Sequence, residues 1–207
     1  MKEKSGISNT IRMILNFLSA DRKNMLEEFC DSVLGRNYTK FTDLDKALMF
    51  MPILKLDDKE SLALSHYSGY SYFSLNRAIR GKWTYEDNGH ISLMHEKKRQ
   101  AEELSEVINN NQKSVGNIKV YRGVPLKYFR DYGIENLDDL KCLEGKYLLD
   151  EGFVSTSLVE DECFYRKDPK NGVNYNVMIE YLIPEEFTDG ICTVYDSHFS
   201  NEGEYLI

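Results

Sequence analysis

The chain is poor in cysteine, and its cysteines lie too far apart for a metal site or a disulfide framework. Four are present and none belongs to a Cys-x-x-Cys pair: Cys30, Cys142, Cys163 and Cys192. Zinc sites and small disulfide-stabilised scaffolds both depend on closely spaced cysteines. We therefore expect reduced thiols buried in the core, where free cysteine usually lies.

Other metal and nucleotide signatures are also missing from the sequence. His90 and His95 are five residues apart and have no cysteine or carboxylate at a recognised zinc spacing, so no metal site is predicted. The chain contains neither a glycine-rich phosphate loop nor the dinucleotide fingerprint of a Rossmann fold. Any bound nucleotide must therefore be held by side chains and strand edges.

The chain lacks both a long apolar run and an excess of basic residues. Arg12 and Asn16 interrupt the apolar stretch from Ile11 to Leu18, so neither a secretory signal peptide nor a membrane span is expected. With 26 basic against 34 acidic residues, the net charge is −8. That balance argues against a protein that coats nucleic acid, whose affinity depends on neutralising phosphates with surplus lysine and arginine.

What remains is the composition of a globular protein, with helices and strands in separate halves of the chain. The hydrophobic fraction is 42% and the charged fraction 29%, as in ordinary soluble domains. Helical periodicity predicts helices at about 7–18, 21–34, 42–51, 57–80 and 91–109. Strand patterns follow at 118–121, 147–149, 152–156, 177–183, 191–194 and 204–207. This segregation predicts an α+β fold with helices packed on antiparallel sheets.

Three short polar motifs occur in the strand-rich half, and the first is Val120-Tyr121-Arg122-Gly123-Val124. An arginine at the end of an apolar strand is costly to bury unless an anion meets it. Its planar set of donors fits a phosphate or a carboxylate, and Gly123 permits a close approach to the backbone. Taken alone, the motif more often marks an arginine paired with a carboxylate of its own chain.

The second and third motifs are a hydroxyl cluster and a carboxylate pair. In the segment 152–157, sequence GFVSTS, strand alternation puts Ser155 and Ser157 on one face, so Ser155 is expected to hydrogen-bond a neighbouring polar side chain. Glu202 and Glu204 flank a glycine and share a face if the strand begins at Glu202. Such a pair suits cation stabilisation together with proton removal, although each cluster taken singly is more often solvated.

The order of the three motifs resembles the signature of the mono-ADP-ribosyltransferases, most closely the bacterial exotoxin-type enzymes with an Arg/Ser/Glu triad. In that family a helix with a tyrosine and, nine residues later, an asparagine precedes the arginine strand. Tyr67 and Asn76 match this pattern within HYSGYSYFSLNRAIRG, and Phe199 matches an aromatic residue three positions before the first glutamate. The resemblance implies a catalytic domain over residues 55–207 with a two-sheet antiparallel β core, preceded by an N-terminal helical extension, 1–54.

The resemblance implies an enzyme that transfers ADP-ribose from its co-substrate NAD to a protein side chain and releases nicotinamide. Arg122 is expected to hold a phosphate of NAD and the Gly123 backbone the nicotinamide amide. Tyr67 and Asn76 are expected to line the nucleotide pocket. The implied partner is a target protein, and neither nucleic acid nor a membrane is expected as one.

The catalytic roles implied by the resemblance fall on residues near the end of the chain. Ser155 is expected to orient Glu204 within the NAD site. Glu204 is expected to bind the ribose hydroxyl and stabilise the positive charge that develops as the glycosidic bond breaks. Glu202 implies an arginine acceptor, because guanidinium is almost always protonated and needs a base beside it to become nucleophilic. Phe199 is expected in the loop that meets the target protein.

Several alternatives stay open at the level of the sequence. The basic residue that family members carry after the Ser-Thr-Ser strand is either Arg166 or Lys167. A toxin or bacterial effector of this kind is expected either to be secreted by a route without a classical signal peptide or to act in a host cytosol. The alternatives to a transferase are an NAD glycohydrolase, in which water replaces the protein acceptor, and a non-catalytic module of the same fold that binds NAD or a partner.

Overall fold

Among the residues that the structure describes, the α-helices come first along the chain and the strands follow them. The computed structural model describes residues 28, 31–81, 91–111, 113–144, 150, 152–163, 176–188, 190–193 and 203–207. The helices that bear on the site are α1 (Leu44–Phe50), α2 (Asp58–His66), α3 (Tyr72–Ile79) and α4 (Ile91–Asn110). The predicted α+β class is confirmed.

Helix α2 begins at a capping box and is separated from α3 by an irregular turn. Asp57 Oδ1 accepts a hydrogen bond from the Glu60 amide at 2.8 Å, and Glu60 Oε2 accepts one from the Asp57 amide at 3.1 Å. Both donors would otherwise lack partners at a helix start. Residues Tyr67–Ser71 then form a wider, π-type turn, in which Gly69 leaves helical geometry with φ −83° and ψ −131°. Turns of this kind are frequent at functional sites, and this one carries the buried Tyr67.

The described strands form one antiparallel sheet of five strands in the order β3-β1-β2-β5-β4. The strands are β1 (Ile118–Val124), β2 (Ser155–Ser157), β3 (Val177–Ile183), β4 (Ile191–Cys192) and β5 (Glu204–Leu206). A 3₁₀ helix, Leu126–Tyr132, follows β1 directly. Strands β3, β4 and β5 lie within two residues of a predicted strand, β1 runs three residues past its predicted end, and β2 is shifted toward the C-terminal end of its prediction.

The resemblance implied two sheets, and the described residues form one sheet with a narrow junction instead. Strands β1 and β3 pair over all seven residues of each, whereas β1 and β2 pair at Tyr121 and Ser157. The sheet therefore consists of a long two-stranded part and a short three-stranded part, β2-β5-β4. Because β2 is much shorter than β1, the two parts of the sheet are joined by only a short length of strand pairing.

The three-stranded part lies between two apolar clusters, because alternate residues of a strand face opposite sides of a sheet. Tyr205 of β5 and Cys192 of β4 belong to one cluster, together with side chains of β1. Their neighbours Leu206 and Ile191 belong to the other, with side chains of α2, α3 and α4. Glu204 shares the side of Leu206, so the predicted catalytic carboxylate faces the helical layer.

Residues just before and within α1 pack on the strands. Thr39 forms an isolated β-bridge with Ile118, and Phe41 forms one with Val159. Ala47 is fully buried in the cluster that contains Val120 and Tyr205. The described residues of the predicted N-terminal extension, 1–54, therefore pack on the core of the strands.

The cysteine prediction is right for two of the three described cysteines. Cys163 and Cys192 are buried, but Cys142 is exposed. Cys142 lies in a second 3₁₀ helix, Leu137–Leu143, none of whose residues is fully buried; Leu140 and Leu143 of this helix pack on an apolar cluster, whereas Cys142 is exposed. Cys30 lies outside the described residues, as do the predicted helix 7–18 and the predicted strand 147–149. No helix of the described part is long and apolar enough to cross a membrane.

Candidate active site

The carboxylate of Glu204 is buried at the start of β5 and is held on both oxygens. Ser155 Oγ donates to Glu204 Oε1 at 2.5 Å, and Thr193 Oγ1 donates to Glu204 Oε2 at 2.5 Å. Short hydrogen bonds of this kind are typical of a charged acceptor. Because an ionised carboxylate has about four lone-pair positions, acceptor capacity remains for a substrate hydroxyl after both protein donors are bound.

The register of the sheet brings these three side chains together. Ser157 of β2 lies opposite Glu204 of β5, which puts Ser155 on the same face and diagonal to the carboxylate. On the other side, the Thr193 amide donates to the Glu204 carbonyl at 3.1 Å, so Thr193 lies directly opposite. Ser155 was expected to orient Glu204, and the structure shows the two side chains in direct contact although they are 49 residues apart in the sequence.

The other two hydroxyls of the Ser-Thr-Ser run bond to backbone groups. Thr156 Oγ1 donates to the Tyr205 carbonyl at 2.6 Å. Ser157 Oγ donates to the Val159 carbonyl at 2.9 Å and accepts from the Val159 amide at 3.2 Å. These bonds fix β2 to β5 and close the turn after β2, which keeps Ser155 in register with the carboxylate.

Thr193 is the site residue that the sequence motifs do not reveal. It follows β4 directly and is 1% exposed, so its hydroxyl needs a protein partner. No recognised motif contains it, and its partner Glu204 is eleven residues away. The available signal was a hydroxyl at the end of a short apolar strand, which is too common to identify a site.

The residue between the two glutamates of the third motif has to be glycine. Gly203 has φ +56°, in the left-handed region that side chains disfavour. A Cβ at this position would also lie 2.5 Å from Leu44 Cδ1 of α1. Helix α1 therefore packs directly on the turn that leads into Glu204.

Asn76, predicted to line the nucleotide pocket, bonds to the backbone of Phe153. Its Oδ1 accepts from the Phe153 amide at 2.7 Å, and its Nδ2 donates to the Phe153 carbonyl at 3.1 Å. Asn76 is 5% exposed, so both bonds are shielded from water. The neighbouring Gly152 must lack a side chain, because a Cβ there would lie 2.6 Å from Asn76 Oδ1. Asn76 thereby fixes the chain two residues before Ser155.

Tyr67, the other residue predicted for the nucleotide pocket, supports the same segment. Its hydroxyl donates to the Phe153 carbonyl at 3.3 Å, and its ring meets the Phe153 ring edge to face, with centroids 5.5 Å apart. Tyr67 is 2% exposed, and burial raises the pKa of its phenol well above the usual value, against the weaker effect of a hydrogen bond from Asn76. The phenol therefore stays protonated and remains a donor.

Two charged groups predicted for the site, Arg122 and Glu204, act on this buried hydroxyl. Burial is the main cause of the raised pKa of Tyr67; the negative charge of Glu204 adds a smaller increase, whereas the positive charges of Arg122 and Arg80 lower the pKa slightly. A charge shifts the pKa of a group that lies near it. The structure thus brings the predicted arginine and the predicted glutamate to the same region, together with Arg80, which the motifs did not include.

Arg122 is placed on β1 with one guanidinium nitrogen unsatisfied. Its Nη1 is buried and has no hydrogen-bond partner among the residues that the structure describes. A buried donor of this kind is costly until an acceptor meets it, and a guanidinium favours an anionic oxygen such as that of phosphate. Gly123 follows, buried on β1 opposite Met178 of β3. The surroundings of Arg122 therefore fit the anion-binding role that was predicted for it.

The remaining predicted site residues lie outside the described part of the chain. These are Glu202, Phe199, Arg166 and Lys167, and their roles stay predictions. Within the described ranges, no group of three or more histidine, cysteine, aspartate or glutamate side chains could hold a metal ion.

Comparison with known protein families gives a match over most of the chain. The family model described as ADP-ribosyltransferase exoenzyme matches residues 37–204. That range begins before α1 and ends at Glu204, the first residue of β5, so it includes the other four strands and the described site. The comparison with curated protein sequences gave no match.

Solved structures of bacterial ADP-ribosyltransferases have the same fold at low sequence identity. The C3 exoenzyme of Clostridium limosum is 19% identical, with a TM-score of 0.60, over 83% of this chain and 85% of that chain. An ADP-ribosyltransferase from Clostridium botulinum is 18% identical, with a TM-score of 0.60, over 83% and 86%. A protein from S. aureus, solved with NAD, is 19% identical, with a TM-score of 0.58, over 83% and 86%.

Proposed function

Because this chain belongs to the ADP-ribosyltransferase exoenzyme family, we propose that it transfers ADP-ribose from NAD to a side chain of a target protein and releases nicotinamide. The observation that carries the proposal is the buried Glu204 carboxylate, held on both oxygens by Ser155 and Thr193. Cleavage of the bond between ribose and nicotinamide builds positive charge on the sugar, and a preplaced carboxylate stabilises that charge.

Arg122 is the proposed ligand of the NAD diphosphate. The chain has a net charge of −8, so attraction of an anionic substrate has to come from a local cation rather than from the overall field. The buried Nη1 of Arg122, which has no partner in the described structure, supports this role. The S. aureus protein of the same fold, solved with NAD, supports NAD as the co-substrate.

Each of these groups has a separate role in the proposed reaction. Arg122 holds the diphosphate, and Glu204 faces the ribose with its orientation already fixed by two hydroxyls, so little reorganisation is needed as charge develops. Tyr67 and Asn76 act through Phe153, because they fix the chain that enters β2. Glu202 would then take the proton from an arginine of the target as its guanidinium attacks the sugar.

Replacing Glu202 by glutamine is expected to lower transfer to protein about a hundredfold or more, because the base for the arginine acceptor is lost. NAD hydrolysis should continue, since water needs no deprotonated guanidinium. Nicotinamide release without acceptor and label incorporation into protein measure the two activities separately. Equal loss of both activities would contradict an acceptor-specific role for Glu202.

The target class is tested with labelled NAD and a cell lysate, followed by mass spectrometry of the labelled proteins. A transferase of the proposed class gives nicotinamide release together with ADP-ribose on arginine. Label on another residue type would refute the arginine preference but not the transferase activity. Nicotinamide release without labelled protein would indicate an NAD glycohydrolase, and no release at all would indicate a binding module.

Replacing Thr193 by valine is expected to lower the kcat of nicotinamide release about tenfold while leaving the KM for NAD nearly unchanged. Valine has the shape of threonine without its hydroxyl, and a hydrogen bond to a charged group contributes roughly 1.5–3 kcal/mol. Steady-state kinetics measure both parameters. Thr193→Ser keeps the hydroxyl and is expected to retain most of the activity, so a similar loss in both variants would show that the hydrogen bond is not the cause.

A further inference from the structure

The guanidinium of Arg122 lies over the ring of a tyrosine from the neighbouring 3₁₀ helix. The distance from Arg122 Cζ to the centroid of the Tyr128 ring is 5.6 Å. A cation within about 6 Å of an aromatic face is attracted by the ring, and the attraction is stronger when water is excluded. Nη1 of Arg122 is buried, so part of the guanidinium is shielded from solvent. The side chain is thus restrained by a contact that uses none of its N–H donors.

The Tyr128 ring is itself fixed by a hydrogen bond at its far end. Tyr128 Oη donates to Asp150 Oδ2 at 2.7 Å. Burial raises the pKa of the phenol strongly, and the hydrogen bond and negative charge of Asp150 raise it further, while Arg122 acts weakly in the opposite direction. The hydroxyl therefore stays protonated and continues to donate to the carboxylate.

Asp150 is in turn anchored to two other parts of the fold. Arg80, at the end of α3, donates from Nε to Asp150 Oδ1 at 2.7 Å, and its Nη2 lies 2.5 Å from the same oxygen. The Gly152 amide donates to that oxygen at 3.0 Å. Burial would raise the pKa of Asp150, but the hydrogen bonds from Tyr128, Gly152 and Arg80 outweigh it, so its pKa lies below the usual value. Asp150 is therefore a charged and fixed acceptor.

We propose that Tyr128 and Asp150 are positioning residues for Arg122, which they hold in the orientation that binds the diphosphate of NAD. This inference rests on the proposed function of the site. An arginine side chain loses considerable rotamer freedom when it is fixed, and a ligand that must order it binds more weakly. The ring orders the guanidinium in advance and leaves the donor Nη1 for the phosphate. The consequence is tighter NAD binding with an unchanged chemical step.

The test compares two substitutions of Tyr128 with a control on the same 3₁₀ helix. Tyr128→Leu removes the ring and is expected to raise both the Kd and the KM for NAD about tenfold. Tyr128→Phe keeps the ring and loses the bond to Asp150, so an increase of about threefold is expected. In both variants kcat should stay within about twofold, because phosphate binding is equal in the ground and transition states. Tyr132→Leu, at an exposed tyrosine, should leave all three constants unchanged.

A double-mutant cycle with Arg122 separates positioning from a general effect on the fold. In an Arg122→Gln background there is no cation for the ring to restrain, so Tyr128→Leu should cause no further loss of NAD affinity. Saturation-transfer NMR with NAD measures the weak binding of these variants, and circular dichroism checks that each is folded.

The outcomes of these measurements distinguish the positioning role from the proposed function. If the unchanged chain binds NAD and Tyr128→Leu binds it equally well, the positioning role is refuted and the proposed function is not. An equal loss from Tyr128→Leu in the presence and absence of Arg122 would also refute it, because the effect would then be structural. If the unchanged chain neither binds NAD nor releases nicotinamide, the proposed function fails and the positioning role fails with it.

Discussion

Replacing Glu204 by glutamine is expected to lower the rate of nicotinamide release by about a thousandfold and to abolish transfer to protein. Loss of one preorganised electrostatic group at a developing charge typically costs about 10²–10³-fold in kcat, and here the lost group is the full negative charge beside the sugar. Glutamine has almost the same shape as glutamate, and the hydroxyls of Ser155 and Thr193 are able to rotate and act as donor or acceptor. The fold should therefore be retained.

The measurement is nicotinamide release at saturating NAD, with NAD affinity determined by calorimetry on the same variant. We expect an affinity close to that of the unchanged chain, because Arg122 and its surroundings are untouched. Glu106→Gln is the matched control, since Glu106 is an exposed glutamate on α4 whose side chain pairs loosely with Lys59 at 3.8 Å. Glu204→Gln with more than about a tenth of the original rate would rule out a charge-stabilising role.

Replacing Asn76 by alanine is expected to lower the free energy of unfolding by about 2–4 kcal/mol, because the variant leaves the buried amide of Phe153 without its partner. A buried polar group that loses its partner costs roughly 1–3 kcal/mol, and a hydrogen bond contributes roughly 0.5–1.5 kcal/mol net. Since 1 kcal/mol shifts the thermal midpoint of a domain this size by about 2–4 °C, the expected decrease in Tm is about 4–16 °C.

Thermal unfolding followed by circular dichroism tests the Asn76 prediction. Asn110→Ala is the control, because Asn110 is exposed at the end of α4, and its Tm should change little. The experiment also distinguishes two roles for Asn76. An unchanged Tm together with a raised KM for NAD would favour the nucleotide ligand expected from the resemblance, whereas a lowered Tm supports the observed attachment to Phe153.

The sequence motifs are sufficient to locate the carboxylate and its serine partner. Ser155 and Glu204 belong to motifs whose order along the chain is specific, and strand alternation assigns them to faces that the sheet register then brings together. Strand alternation is a local pattern, because each motif is one short strand with a fixed period of two, and the resemblance to the mono-ADP-ribosyltransferases supplied the pairing of the two residues. The capping box at Asp57 is similarly visible, because all of its atoms lie within four residues.

The roles of Asn76 and Thr193 show where such reasoning stops. Asn76 bonds to the backbone of Phe153, 77 residues away. Every residue has these backbone groups, so the amino-acid sequence does not indicate which one Asn76 contacts. Thr193 contacts Glu204 because β4 and β5 pair in one particular register, and no motif encodes that register. Both contacts depend on how distant segments pack.

Local periodicity and residue chemistry were enough to establish the α+β class and the order of the three motifs, whereas the choice of Arg122 and Glu204 rested on the resemblance to the mono-ADP-ribosyltransferases. The restraint of Arg122 by Tyr128, and the hold on both oxygens of Glu204, became visible in the folded chain alone. These contacts join segments that are distant in sequence, and their geometry is set by strand register and by the packing of helices on the sheet. The types of functional side chain can therefore be predicted from the sequence, whereas the contacts that hold them in position depend on the tertiary structure.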